Sequence, residues 1–344
     1  MKLRLLLIFL IPFFAFSQGK RTLATKKMFD KAVEAYNAGN SDEALGMFKQ
    51  CVADDPTFTE AYLNISYIYF ESEDYDNSLS NSLKALQTNQ FQSSIFIQTA
   101  RCYYYLEQYD STVHYMKQGS SLGTISESDY VYVAKSLVNL GEYREATVYF
   151  GKAVELNANK ALYYNERGSA YFQLGEYELA KSDFEKALQL NPQSSSAIAN
   201  MANVALAMGD NETAMTYIEK GISGASDEQK VDLLILKGNY YKNTGDFENA
   251  SAAYNEAYEL DQENAVVLNN QAAVLIELED YQGAFEKCNM ALELQPEMME
   301  AYFNRGIANE MLRNVEDACL DWEQAFILGS EIAEEYLNSP ICIE

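Results

Sequence analysis

Small residues return along this chain at a fixed interval, and that recurrence limits the accessible folds more than any other feature. On a 34-residue period the eighth position holds Ala32, Ser66, Ala100, Ala134, Gly168, Ala202, Gly238, Ala272 and Gly306. The twentieth holds Ala44, Ser78, Thr112, Ala146, Ala180, Ala214, Ala250, Ala284 and Ala318. The twenty-seventh holds Cys51, Ala85, Gly119, Ala153, Ala187, Gly221, Ala257, Ala291 and Ala325. Two helices approach closely only where both carry small side chains, and a large neighbour must fill the remaining space. The expected fillers are Tyr62, Phe96, Tyr130, Tyr164 and Tyr302 at the fourth position, and Tyr75, Tyr109, Tyr143, Tyr177, Phe247 and Tyr281 at the seventeenth. Gly39, Gly141, Gly175, Gly209 and Gly245 fall between the two helices of a period, where a left-handed residue reverses the chain.

A 34-residue helix–turn–helix unit is the period of the tetratricopeptide repeat. The chain resembles that family, in its exported bacterial type, over roughly nine-tenths of its length. The clearest stretches are 164–192, with its RGSAYFQLGEYELAKSDFEKALQLNP, and 234–260. The register gives nine units: 25–58, 59–92, 93–126, 127–160, 161–194, 195–228, 231–264, 265–298 and 299–332, with Gln229 and Lys230 inserted. Ser82 and Cys288 stand where a large residue is usual, and Asn309 where an aromatic is. Two Gly- and Ser-rich stretches, 119–128 and 223–229, read as loops and hinges. The resemblance implies an all-α fold: an α-solenoid of antiparallel helix pairs in a right-handed superhelix, first helices lining the concave side. A solenoid needs a polar end. Glu331–Asn338, within the 333–344 cap and tail and the turn before it, fits that role.

Composition then narrows the function. Lys and Arg total 25 against 51 Asp and Glu, a net charge of −26, so nucleic acid and anionic membrane surfaces are disfavoured as partners. The one histidine, His114, falls on the outer face of a second helix, and the chain has no phosphate-cradling glycine loop and no HExxH motif. No catalytic residue, metal site or cofactor is therefore expected. Residues 1–17 read as a signal peptide: Lys2 and Arg4 precede the apolar run Leu5–Phe16, which is too short to span a bilayer, and Ala15 and Ser17 supply a cleavage site. Gln18 would begin the mature chain, with 18–24 as a short lead. Its expected location is the periplasm or the exterior, without membrane insertion.

Positions two, five, six, nine, twelve and thirteen of the first helix face the groove in the family. Asn64, Asn200, Asn270 and Asn304 occupy the sixth, Asn165 the fifth, and Asn203 and Asn239 the ninth. An amide both donates and accepts, so such a ladder can pair with a peptide backbone without reading side chains; it can equally be ordinary solvation of the groove. Tyr67, Arg101, Tyr104, Tyr132 and Lys135 add an aromatic and basic floor in the earlier units. Lys26 is the only basic residue at positions two, five or six, which disfavours capture of a terminal carboxylate. Two readings follow: a scaffold that binds a basic or neutral protein segment in its groove, or a structural subunit that meets its partners through the convex helices.

The cysteine count is five, so at least one has no intramolecular partner. Cys51, Cys102 and Cys288 read as core residues. Cys319 lies near the start of the last second helix, and a capping helix running back along it would bring Cys342 beside it. The pair is a candidate disulfide; two free thiols are the alternative.

Overall fold

The structure is a computed structural model that describes residues 22–224 and 226–343. The signal-peptide expectation for 1–17 lies outside the described residues. Among the described residues there are twenty helices and no strand. The chain divides into two compact units, one ending at Leu156 and the other beginning at Asn157.

The N-terminal unit contains four helix–turn–helix pairs: α1 (Leu23–Asn37) with α2 (Ser41–Asp54), α3 (Thr59–Glu71) with α4 (Tyr75–Thr88), α5 (Ser93–Tyr105) with α6 (Tyr109–Leu122), and α7 (Glu127–Asn139) with α8 (Tyr143–Leu156). The C-terminal unit contains five: α9 (Ala161–Gln173) with α10 (Tyr177–Leu190), α11 (Ser195–Ala207) with α12 (Asn211–Gly224), α13 (Asp227–Asn243) with α14 (Phe247–Leu260), α15 (Ala265–Glu277) with α16 (Tyr281–Leu294), and α17 (Met299–Met311) with α18 (Val315–Ile327). Two short helices, α19 (Glu331–Leu337) and α20 (Pro340–Ile343), close the end.

All three small positions are buried in every pair. The largest fully buried side chains come from a different position than the one expected to fill the space. Phe48, Phe150, Phe184, Tyr254 and Trp322, all at position twenty-four, are at most 1% exposed. The tyrosines at positions four and seventeen are mostly half-buried instead. Glycine at position eight follows from this. A Cβ on Gly168 would lie 2.7 Å from the Phe184 ring, and those on Gly238 and Gly306 would overlap Tyr254 and Trp322.

Every turn between paired helices has a residue of positive φ at position fifteen. Gly39, Gly141, Gly175, Gly209 and Gly245 supply five of them. Glu73, Glu107, Glu279 and Arg313 supply the other four, with φ of 57° to 69°, although side-chain-bearing residues adopt this region at a cost.

The two stretches expected as loops are largely helical. α6 continues to Leu122, and α7 starts at Glu127 because Ser126 and Asp129 form a reciprocal capping box. Ser226 and Gln229 do the same for α13, so the two inserted residues lengthen that helix to 17 residues instead of extending a loop. Neither stretch coincides with the division between the compact units.

At the C-terminus, Ser330 accepts a hydrogen bond from the Ala333 backbone N–H and starts α19. Tyr336 then packs on Trp322 at 4.8 Å between ring centroids and on Phe303 at 5.1 Å. A disulfide joins Cys319 to Cys342, whose Cα atoms are 5.7 Å apart. Cys51, Cys102 and Cys288 are buried and take part in no disulfide.

Candidate functional site: the first-helix surfaces

In the N-terminal unit the capping box that starts α7 also builds the floor. It holds Asp129 at 1% exposure, and Arg101 on α5 reaches across to it with Nε at 2.8 Å and Nη2 at 3.1 Å. Burial works against the Arg101 charge, but the hydrogen bond and charge of Asp129 outweigh it and hold the guanidinium above its ordinary value. Arg101 is therefore a structural cation joining two repeats, with its charge already matched. Around it the aromatic residues form a layer. The Tyr104 and Tyr132 rings lie 4.7 Å apart, Tyr105 and Tyr132 are 5.9 Å apart, and their hydroxyls meet at 3.2 Å. Burial, then the bond to Tyr105, pushes the Tyr132 hydroxyl well above the usual phenol range, so it stays protonated. Burial raises the Tyr67 hydroxyl too. Lys135 stands half-buried beside this layer on α7. Asn64 turns back on its own helix and donates to the Glu60 carbonyl at 2.7 Å.

The C-terminal unit is organised by amides. Asn200 on α11 donates both amide hydrogens to the preceding repeat, to Asn165 Oδ1 at 3.0 Å and Ser169 Oγ at 3.2 Å. Asn304 on α17 repeats the step, donating to Asn269 Oδ1 at 2.8 Å. The sixth position of one repeat thus bonds the fifth position of the repeat before it. Asn239 serves the core instead, its Oδ1 accepting the hydroxyl of the fully buried Tyr254 at 2.6 Å. Among the described residues the side chains of Asn203 and Asn270 make no hydrogen bond, and both residues are half-buried. Of the sequence-selected asparagines, these two keep the whole side-chain amide uncommitted, while Asn64, Asn200 and Asn304 keep an Oδ1, and Asn165 and Asn239 an Nδ2, without a partner among the described residues.

Sequence reasoning missed one polar element. Arg167 forms a two-pronged pair with Asp183, 2.7 Å on each prong, and Arg305 pairs with Asp321 in the same register. Arg305 also donates to Asn289 at 2.7 Å, and Asn309 donates to Asp321 at 2.9 Å. That explains why Asn309 replaces an aromatic: it satisfies a carboxylate that is 5% exposed. The available signal was an arginine at position seven with an aspartate sixteen residues on, present in two units.

Profiles of the tetratricopeptide repeat match residues 29–90, 131–160, 161–194 and 231–264. The chain is a tetratricopeptide repeat protein. A repeat region of this tetratricopeptide repeat protein is 33% identical over 102 residues to mouse RNA polymerase II-associated protein 3, covering 30% of this chain and 16% of the mouse protein. The match therefore spans about a sixth of that relative's length. In structure it is similar to the APC/C hetero-tetramer Cut9–Hcn1, with a TM-score of 0.58 at 12% identity over 95% of this chain and 78% of that one. It is also similar to the C-terminal part of a repeat protein from Cytophaga hutchinsonii, with a TM-score of 0.57 at 20% identity, over 70% of this chain and 98% of that one. Both likenesses concern the fold. Among the described residues there is no group of His, Cys, Asp and Glu suited to a metal ion. Nor is any described helix long and apolar enough to cross a membrane.

Proposed function

We propose that this chain is a non-enzymatic protein-interaction scaffold that holds an extended segment of another protein against its first helices. The observation that carries this is the set of uncommitted amides on α11 and α15: Asn203, Asn270 and the carbonyl oxygen of Asn200, at positions six and nine. Such groups match the alternating donors and acceptors of a peptide backbone, and binding would satisfy them on both sides. With a net charge of −26, a basic or neutral segment meets less repulsion than an acidic one. Export belongs to the same proposal; it is supported by the charged and apolar pattern of residues 2–17 and by the Cys319–Cys342 disulfide, which suits an oxidising compartment. N-terminal sequencing of the native protein should then begin at Gln18.

A second reading has its own support. Val148, Leu179, Leu320 and Ile327 on the second helices are 49–67% exposed, as an outward-facing contact surface would be. The two readings separate in one experiment, with full-length chain as bait in an exported-protein extract. Under the groove reading N203A/N270A loses the captured partner and L320S/I327S keeps it. The reverse outcome assigns function to the outer helices.

A further inference from the structure

The first helices of the fifth and sixth repeats enclose a cavity of about 150 Å³. Ser169, Phe172 and Gln173 come from α9, Phe184 from α10, and Asn200 and Asn203 from α11. Its floor is aromatic, and Gly168 lets the Phe184 ring settle against α9. Its rim is amide. The two hydrogen bonds of Asn200 to Asn165 and Ser169 fix the orientation of that side chain, so its Oδ1 is the acceptor left facing a ligand. The side chain of Asn203, one turn further along, makes no hydrogen bond among the described residues.

The matching step between the eighth and ninth repeats shows what closes such a space. Asn304 bonds Asn269 there as Asn200 bonds Asn165, but the positions of Ser169, Phe172 and Asn203 are taken by Ala273, Ile276 and Ile307. The two isoleucines are half-buried and pack into the cores of their own repeats. The fifth and sixth repeats carry the same amide step with an open, polar-rimmed cavity beside it.

We infer that this cavity is a side-chain pocket that takes one unbranched-to-leucine-sized apolar residue of a bound protein segment. Asn200 Oδ1 accepts the backbone N–H of that residue, and Asn203 donates to its carbonyl. The inference rests on the groove reading above and names its specificity. Size favours this class, since about 150 Å³ is room for roughly a benzene-sized body, here resting on the Phe172 and Phe184 rings. Chemistry favours it too. The lining contains no charged side chain, so an ionised residue entering it would lose its water without gaining a counter-charge.

The probes are N-acetyl-leucinamide, N-acetyl-glycinamide and N-acetyl-glutamic-acid amide, each titrated into isotopically labelled full-length chain to its solubility limit and followed by NMR. The leucine compound should shift signals of α9 and α11 around the cavity, and the other two should not. N203I, which copies the residue found at position 307, should fold normally by circular dichroism and weaken the leucine response by about tenfold or more. F172A should transfer the preference to N-acetyl-tryptophanamide. No response at α9 and α11, or equal responses to leucine and glycine, overturns the pocket. An N203I response equal to the parent's overturns it as well. The groove reading is judged separately, by protein capture with N203A/N270A, and survives a negative result here.

Discussion

Gly306→Ala tests the packing rule on which the repeats are built. Alanine normally favours a helix interior over glycine by about 1 kcal/mol. At Gly306, however, a Cβ would meet three ring atoms of Trp322, all under 3.0 Å, and Trp322 is 0% exposed. A ring enclosed on every side cannot swing away, so the overlap falls at the upper end of the usual range for overpacking, about 3 kcal/mol. The expected net effect is a destabilisation of about 2 kcal/mol. Gly46→Ala is the control, because a Cβ there meets nothing within 4 Å. The same chemical change in α2 should stabilise by up to about 1 kcal/mol. Urea denaturation followed by far-ultraviolet circular dichroism should therefore shift in opposite directions for the two variants. Trp322→Phe should relieve part of the Gly306→Ala cost, giving a coupling of about 1 kcal/mol or more in a double-mutant cycle. A Gly306→Ala protein as stable as its parent, or a cycle without coupling, refutes the packing argument.

Glu279→Gly should stabilise by roughly 0.5–1 kcal/mol, since the left-handed conformation costs a side-chain-bearing residue about 1–2 kcal/mol and glycine's extra unfolded-state freedom returns part of that; a loss of stability in urea denaturation contradicts the turn assignment. Asp183→Ala should destabilise by about 2 kcal/mol, because it strands the Arg167 charge, which is 22% exposed in its side chain, and an unchanged midpoint would show the pair to be dispensable. Burial pushes the Cys102 thiol to about 11 and the Cys288 thiol to about 12, so neither should react with iodoacetamide at neutral pH until the chain unfolds. Non-reducing peptide mapping should recover Cys319 linked to Cys342, and C319S/C342S should cost about 3 kcal/mol in thermal or urea denaturation for a loop of 23 residues.

The pairing of helices was legible because it depends on residue size at fixed intervals, and size is written in the sequence. The interval alone assigns Ala44, Ala153 and Ala202 to helix contacts, and each is fully buried. The turns were legible only where glycine marked them. Glu73, Glu107, Glu279 and Arg313 adopt the same conformation with no sequence signal, because the flanking helices impose it. The starts of α7 and α13 were hidden for a different reason. A run of glycine and serine suggests a loop, yet Ser126 with Asp129 and Ser226 with Gln229 spend those same polar groups on helix caps. In the candidate site the periodicity located the asparagines but not their use. Whether Asn200 faces a ligand or a neighbour depends on what the fifth and ninth positions of the preceding repeat carry, and Asn165 and Ser169 both answer it from a different helix. The charge on Arg101 was likewise read without Asp129, which lies 28 residues on and comes close only through the capping box of α7.

Site-specific photo-crosslinking tests the central claim most directly. A benzophenone side chain placed at Gln173 or Val266 stands on a first helix of the C-terminal unit, and one at Val148 or Leu320 stands exposed on a second helix. Each full-length variant is irradiated in the exported-protein extract and its adducts are resolved by mass. The scaffold proposal predicts that Gln173 and Val266 capture the same partner chain while Val148 and Leu320 capture none of it. Capture of that partner from the second-helix positions alone would contradict the proposal.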